Sequence, residues 1–143
     1  MKKQRRPAAA GTAPQPMEKH EKKRPEDRDD RLLIVGVGAS AGGLEAFTQL
    51  LTRLPLDTGM AFVLVQHLDP DHESALTHIL SRATRMSVCE ITHNQPLKAN
   101  QVYVIPRATN LSIVEGLLKL EPRLKTRNPH RPIDSFFESL AQD

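Results

Sequence analysis

The feature that most constrains the fold of this chain is a glycine-rich segment, residues 36–43, that separates an apolar run from an amphipathic pattern. Residues 32–35 are all apolar, which is typical of a short strand buried on both faces. After the glycines, leucines and a phenylalanine recur at helical spacing up to Pro55, where the predicted helix ends. A second apolar strand is predicted at residues 60–65. This order predicts a right-handed crossover unit that places two parallel strands in one sheet.

The remaining patterns predict one more helix after the second strand, further short strands and a last helix. The middle helix has Asp71 as its predicted N-cap, and the last helix has Asp134. Phe136, Phe137 and Leu140 form the predicted apolar side of the last helix. Short apolar runs predict strands at residues 87–92, 102–106, 111–114 and 117–120, the last two joined as a hairpin through Glu115-Gly116.

Together these elements predict an α/β fold, doubly wound, with a mostly parallel sheet and an inserted β-hairpin. A doubly wound sheet needs strands on both sides of its first strand, and few strands are available for that here. The last predicted helix, near Asp134, has no strand after it. We therefore expect the domain to be truncated at the C-terminus.

Residues 1–30 are predicted to be a disordered, charged tail, and residues 31–143 to be the globular part. The first 31 residues hold half of the twenty Lys and Arg, several prolines and almost no large apolar side chain. Such a segment cannot bury enough surface to offset its ordering entropy. A basic tail is able to contact nucleic acid or anionic lipid, but this one has no aromatic residue for base stacking. A solvated tail is therefore favoured, and no nucleic-acid partner is predicted.

The compartment is predicted from cysteine usage and hydropathy. Cys89 is the only cysteine, so no intramolecular disulfide can form, and a reducing cytoplasmic compartment is the simplest interpretation. No apolar run approaches the roughly 18 residues that span a bilayer. The N-terminal lysines are not followed by the apolar segment of a signal peptide. No membrane insertion is predicted.

The candidate chemistry lies in the glycine-rich segment. Residues 38–42, Gly-Ala-Ser-Ala-Gly, fit the G-x-S-x-G nucleophile elbow between a strand and a helix. A sharp turn there exposes the oxygen of Ser40, the candidate nucleophile, and a Cβ on either flanking glycine is expected to collide with a neighbouring strand or helix. The amides of Ala41 and Gly42, at the start of the helix, are the candidate donors to an oxyanion.

His67 is the candidate general base. It follows the second strand as Ser40 follows the first. If the two strands are neighbours, both side chains face the same crevice at the carboxyl edge of the sheet. The alternative is a histidine that caps the next helix or fills a loop. No set of His, Cys, Asp and Glu residues has zinc-site spacing, so neither a metal nor another cofactor is predicted.

The same glycines also allow a dinucleotide-binding interpretation. Gly36, Gly38 and Ala41 match the G-x-G-x-x-G/A fingerprint after a first strand. In that interpretation the helix amides hold a pyrophosphate, and an acidic residue at the end of the second strand binds the ribose. That strand ends at Gln66-His67, and a histidine suits general-base chemistry better. The pattern therefore favours a hydrolase and leaves the alternative open.

Four segments in register resemble the CheB-type methylesterase domains of bacterial chemotaxis. They are residues 38–43 (Gly-Ala-Ser-Ala-Gly-Gly), 65–68 (Val-Gln-His-Leu), 102–106 (Val-Tyr-Val-Ile-Pro) and 128–137 (Asn-Pro-His-Arg-Pro-Ile-Asp-Ser-Phe-Phe). The resemblance covers residues 32–143 and implies a doubly wound fold with Ser40 as nucleophile and His67 as base. The implied reaction is hydrolysis of γ-glutamyl methyl esters on the cytoplasmic helices of chemoreceptors, with release of methanol. Some members of the family also deamidate receptor glutamines.

The resemblance also identifies family features that these residues do not show. The family's third catalytic residue is an Asp in a Gly-Met-Gly-x-Asp-Gly loop, which this sequence does not contain, and Asp69, Asp71 and Asp134 do not match it. Losing that Asp typically costs a serine triad about 10⁴-fold in kcat. The chain by itself is therefore expected to be weakly active or inactive. Position 41 often holds Thr in the family, whereas Ala41 offers a backbone amide and no hydroxyl.

Regulation and partners are also implied by the resemblance. Family members usually carry a phosphorylatable receiver domain before the esterase, and residues 1–30 do not resemble one. A fusion with methyltransferase and sensor modules in the same polypeptide is a known arrangement, and there the domain would serve as a non-catalytic regulatory or binding module. The basic loop at residues 123–131 is expected either to dock acidic receptor helices or to be solvated, with Arg131 paired internally.

Overall fold

The described part of the chain forms its helices and strands in the predicted order, with one short strand added. A computed structural model of the chain describes residues 32–40, 42–66, 75–123 and 131–143. The predicted tail at residues 1–30 lies outside the described residues, as does Asp71. The prediction that Asp71 caps the middle helix is wrong, because that helix begins at Leu76 with Ala75 as its N-cap. The elements in chain order are β1 (Leu33–Ala39), α1 (Gly43–Arg53), β2 (Met60–Gln66), α2 (Leu76–Ala83), β3 (Ser87–Glu90), β4 (Gln95–Pro96), β5 (Gln101–Val104), β6 (Thr109–Val114), β7 (Leu117–Pro122) and α3 (Pro132–Gln142).

Strand β2 lies inside a parallel sheet whose strand order is β1-β2-β5-β3. It pairs with β1 in a register that runs from Leu33↔Met60 to Ala39↔Gln66, and it pairs with β5 along its other edge. Residues 61–65 are at most 2% exposed, because both edges of the strand are paired and both faces are covered. Among the described strands, β1 is paired only with β2 and so forms one edge of this sheet.

Helices cover both faces of the parallel sheet, which confirms the predicted doubly wound α/β fold. On one face, Phe62 and Leu64 pack with apolar side chains of α1 and α2. On the other face, Val63 and Val65 pack with the β6–β7 hairpin and with Phe136 of α3. Side chains alternate between the two faces of a strand, so β2 contributes to both cores.

The hairpin belongs to a small antiparallel sheet with the order β4-β7-β6. Its turn is Glu115-Gly116, as predicted, and both residues have positive φ, 51° and 68°. Those angles are typical of the tight two-residue turns that match the twist of a hairpin. Strand β4 was not predicted, because two residues that end in a proline carry no alternating apolar pattern.

Helix α3 begins before its predicted N-cap. Its first residue is Pro132 and its N-cap is Arg131, so the prediction that Asp134 caps this helix is wrong. Proline suits the first turn because an amide at that position has no acceptor within the helix. Asp134 lies within the first turn and forms an exposed ion pair with Arg131. Of the predicted apolar side chains, Phe136 is buried and Phe137 is 38% exposed.

Tyr103 of β5 joins the parallel sheet to the segment that follows β4. Its side chain is buried, and its hydroxyl oxygen accepts a hydrogen bond from the Lys98 amide at 2.8 Å. The hydroxyl donates to Gln101 Oε1 at 3.1 Å. Burial raises the pKa of Tyr103, because the surrounding protein solvates the phenolate poorly.

We expect alkaline pH to destabilise the chain through Tyr103. Unfolding returns the phenol to its ordinary pKa near 10, so the unfolded state ionises first. The free energy of unfolding is therefore unaffected by this group below that pH, and it falls as the pH rises above it. The chain has a single tyrosine, so the ultraviolet absorbance of tyrosinate follows this residue alone. The absorbance should appear at higher pH in the folded chain than in urea, and coincident titrations would contradict the buried position.

Candidate active site

Ser40 directly follows strand β1 and is exposed at the carboxyl edge of the parallel sheet. Its carbonyl oxygen accepts a hydrogen bond from the Gly43 amide at 3.0 Å, which closes a tight turn into α1. Gly42 has φ 85° in this turn, a left-handed conformation that glycine adopts without steric cost. The strand–turn–helix context of a G-x-S-x-G motif is present, with the positive φ on Gly42 and not on the serine.

The glycines around Ser40 are required for different reasons. A Cβ on Gly38 would lie 2.6 Å from Ile133 Cγ2 of α3, which confirms the predicted collision with a helix. A Cβ on Gly42 would meet no described residue within 4 Å, so the predicted collision is not seen at this position, and its positive φ is what favours glycine. A second close approach, which was not predicted, is at Gly43, where a Cβ would lie 2.5 Å from the Cβ of Ala39.

Gly36 and Gly38 allow close packing of α3 and are not placed to bind a phosphate. Both lie within β1, where they pair with Val63 and Val65 of β2. Side chains of α3, including Phe137, fill the space beside them. A dinucleotide fingerprint needs its glycines in the turn after the strand, open to the pyrophosphate. These positions therefore do not support the dinucleotide alternative, and β1 extends well past its predicted apolar run.

Helix α1 begins at the Ser40 turn, with Gly42 as its N-cap. The unpaired amides at a helix N-terminus and the aligned peptide dipoles together act as roughly half a positive charge. An anion formed next to Ser40 would be stabilised by that charge. Ala41, the other predicted oxyanion donor, lies outside the described residues.

The register of the sheet brings the residues that precede the two predicted catalytic positions to the same edge. Ala39 and Gln66 are the last paired residues of β1 and β2, and Ser40 and His67 follow them in the sequence. Neighbouring strands lie about 4.8 Å apart. His67 itself lies outside the described residues.

Gln66 also belongs to this edge, although the sequence analysis treated it only as the end of a strand. Its Nε2 donates to the Ser40 carbonyl oxygen at 3.4 Å. Its Oε1 is buried and has no hydrogen-bond partner among the described residues. The sequence did contain a signal for this residue. Met60, Phe62 and Leu64 alternate along β2 on the face that packs against α1 and α2, and Gln66 is the polar residue that ends this row.

The remaining predictions concern a metal site, membrane insertion and the basic loop at residues 123–131. Within residues 32–40, 42–66, 75–123 and 131–143, no three His, Cys, Asp or Glu side chains are placed to share a metal ion. In the same residues, no helix has the length and hydropathy needed to cross a bilayer. The pairing of Arg131 with Asp134 agrees with the internal-pairing alternative for that arginine. The rest of the basic loop, residues 124–130, lies outside the described residues.

Comparison with known proteins gives one consistent result. A family model described as CheB methylesterase matches residues 35–143. A protein-glutamate methylesterase/protein-glutamine glutaminase of Anaeromyxobacter dehalogenans is 31% identical over 114 residues, covering 80% of this chain and 31% of that protein. A protein with the same description from Hahella chejuensis is 32% identical over 142 residues, covering 96% of this chain and 36% of that protein. The chain thus spans about a third of the length of these curated relatives.

A solved structure agrees with the fold. The crystal structure of the Thermotoga maritima CheB methylesterase catalytic domain superposes with a TM-score of 0.65 at 24% sequence identity. The match covers 78% of this chain and 61% of that domain. At this identity, the likeness shows that the two chains share a fold.

We expect Gly43→Ala to destabilise the chain, although alanine is favoured over glycine within helices by about 1 kcal/mol. The new Cβ would overlap the Cβ of Ala39, and relieving such an overlap costs typically about 1–3 kcal/mol. Urea denaturation followed by circular dichroism measures the change. A gain in stability, as helix propensity alone predicts, would show that the turn relaxes freely.

Proposed function

The chain belongs to the CheB methylesterase family, and we propose that it carries the nucleophile and the general base of a serine methylesterase. The proposed substrates are methyl esters of glutamate side chains on chemoreceptors, and the products are the free carboxylate and methanol. The observation that carries the proposal is the exposed Ser40 at the carboxyl end of β1, directly before the N-terminus of α1.

In the proposed mechanism, the Ser40 hydroxyl attacks the ester carbonyl while His67 takes its proton. The oxyanion of the tetrahedral intermediate is stabilised by the amides of Ala41 and Gly42 and by the dipole of α1. Methanol leaves with a proton from His67, which leaves an acyl group on Ser40. Water then releases the glutamate by the same steps, with His67 again acting first as base and then as acid.

The assignment of His67 is supported by the pairing of β1 with β2. The pair Ala39↔Gln66 ends the register, and the next residue of each strand is a candidate catalytic residue. Paired residues of neighbouring parallel strands lie on the same face of a sheet. The proposal therefore places the Ser40 hydroxyl and the His67 imidazole within hydrogen-bond distance at this end of the sheet.

The proposal assigns the nucleophile and the base to this chain and leaves the group that orients the imidazole unassigned. Asp134, the described aspartate considered above, is engaged with Arg131 on the exposed first turn of α3. Two relatives are named for glutaminase as well as methylesterase chemistry. We extend the proposal to both, because an amide and an ester pass through similar tetrahedral oxyanions.

Replacement of Ser40 should abolish methanol release from methylated chemoreceptors by the native polypeptide that contains this chain. Ser40→Ala is expected to lower kcat by at least about 10⁴-fold, and His67→Ala by a similar factor, because the two residues act as a unit. For the same reason, the double variant should be no slower than either single variant. Ser81→Ala, an exposed serine of α2, is the matched control and should keep full activity.

Other outcomes would replace this proposal. Full activity in Ser40→Ala would exclude this serine as the nucleophile. An inactive wild type that still binds methylated receptor would favour a regulatory or binding module. An inactive wild type whose melting temperature rises with NAD would restore the dinucleotide interpretation, despite the covered glycines of β1.

A further inference from the structure

The side-chain amide of Gln66 lies against the turn that carries the proposed nucleophile. Its Nε2 is 3.4 Å from the carbonyl oxygen of Ser40. A Cβ on Gly43, the first residue of α1, would lie 3.6 Å from both Cδ and Nε2 of Gln66. The carboxamide is therefore packed between the end of β1 and the start of α1.

The orientation of this amide follows from its partner. A carbonyl oxygen only accepts hydrogen bonds, so the nitrogen of Gln66 must be the atom that faces Ser40. The opposite atom, Oε1, is then buried without a hydrogen-bond partner among the described residues. An apolar side chain here would continue the row of Phe62 and Leu64 and avoid that burial. A polar side chain at the end of an otherwise apolar row indicates a role other than packing.

The Ser40 carbonyl matters because of the peptide unit to which it belongs. A trans peptide is planar, and its C=O and N–H groups point in opposite directions. The N–H in the same unit as the Ser40 carbonyl is that of Ala41, the first proposed donor to the oxyanion. Two hydrogen bonds hold this carbonyl against α1 and β2, one from Gly43 and one from Gln66. Because the unit is planar, a contact that fixes the direction of the Ser40 carbonyl also fixes the direction of the N–H in the same unit.

We propose that Gln66 is a positioning residue, whose hydrogen bond to the Ser40 carbonyl orients the peptide that donates to the oxyanion. This role rests on the proposed function and extends it to a residue that does not touch the substrate. Gln66 then acts on the transition state, in which the negative oxygen exists, and hardly on the bound ester. Its removal should lower kcat and leave KM almost unchanged.

The test compares Gln66→Met and Gln66→Glu with wild type in the native polypeptide that contains this chain. Methionine keeps the size of the side chain and removes the donor, and glutamate places an oxygen where the donor was. Each is expected to lower kcat for methanol release by roughly 10²-fold, the effect of misplacing a reacting group by about 1 Å. KM should stay within about twofold. Gln49→Met, an exposed glutamine of α1 that bonds Glu45, is the matched control.

Two further readouts separate positioning from stability. The affinity for an alkyl boronic acid, which forms a tetrahedral anion on serine, should fall in Gln66→Met by the same factor as kcat/KM. The melting temperature of Gln66→Met should stay close to that of wild type, because methionine keeps the size of the side chain and continues the apolar row of β2.

Several results would overturn the positioning role. An active wild type with unchanged kcat in both Gln66 variants would remove this role and leave the proposed function intact. A lowered melting temperature in Gln66→Met, together with wild-type kcat in Gln66→Glu, would show that Gln66 contributes only to packing. A wild type without methanol release or boronic acid binding would overturn the proposed function and the role of Gln66 with it.

Discussion

The structure depends on one strand, β2, that is paired on both edges and covered on both faces. Its five central residues contribute to the two cores in alternation. Such a strand is difficult to shift, because a slip by one residue would exchange the side chains of the two cores. The carboxyl end of β2 therefore has a well-defined position relative to β1. The proposed chemistry uses that position, since the residues that follow the two strands are the proposed nucleophile and base.

Packing of α3 and exposure of the nucleophile place different demands on β1. Close approach of α3 requires that Gly36 and Gly38 lack side chains, because α3 side chains occupy that space. Beyond the strand, Gly42 supplies a positive φ and Gly43 allows α1 to start against Ala39. Each of these glycines therefore meets a different steric requirement. Together they bring a helix N-terminus close to an exposed serine, where its partial charge is useful for catalysis.

Much of this arrangement could be predicted because it follows from local patterns. The apolar runs and the helical spacing before Pro55 predicted the crossover unit, and Glu115-Gly116 predicted the hairpin turn, which has the expected positive φ angles. The roles of the individual glycines could not be predicted in the same way, because they depend on α3, which is distant in the sequence. Asp134 resembled an N-cap, but Pro132 and Arg131 begin the helix. The sequence alone predicted no role for Gln66, because its proximity to the Ser40 turn depends on the register between β1 and β2.

The most direct test of the central claim is to identify the residue that reacts as a nucleophile. The native polypeptide that contains this chain would be treated with a fluorophosphonate, digested, and mapped by mass spectrometry. The account predicts one phosphonylated peptide with the modification on Ser40, and loss of that adduct in the His67→Ala variant, because the serine needs its base to attack. A modification on another serine, or no adduct in a polypeptide that still releases methanol, would contradict the account.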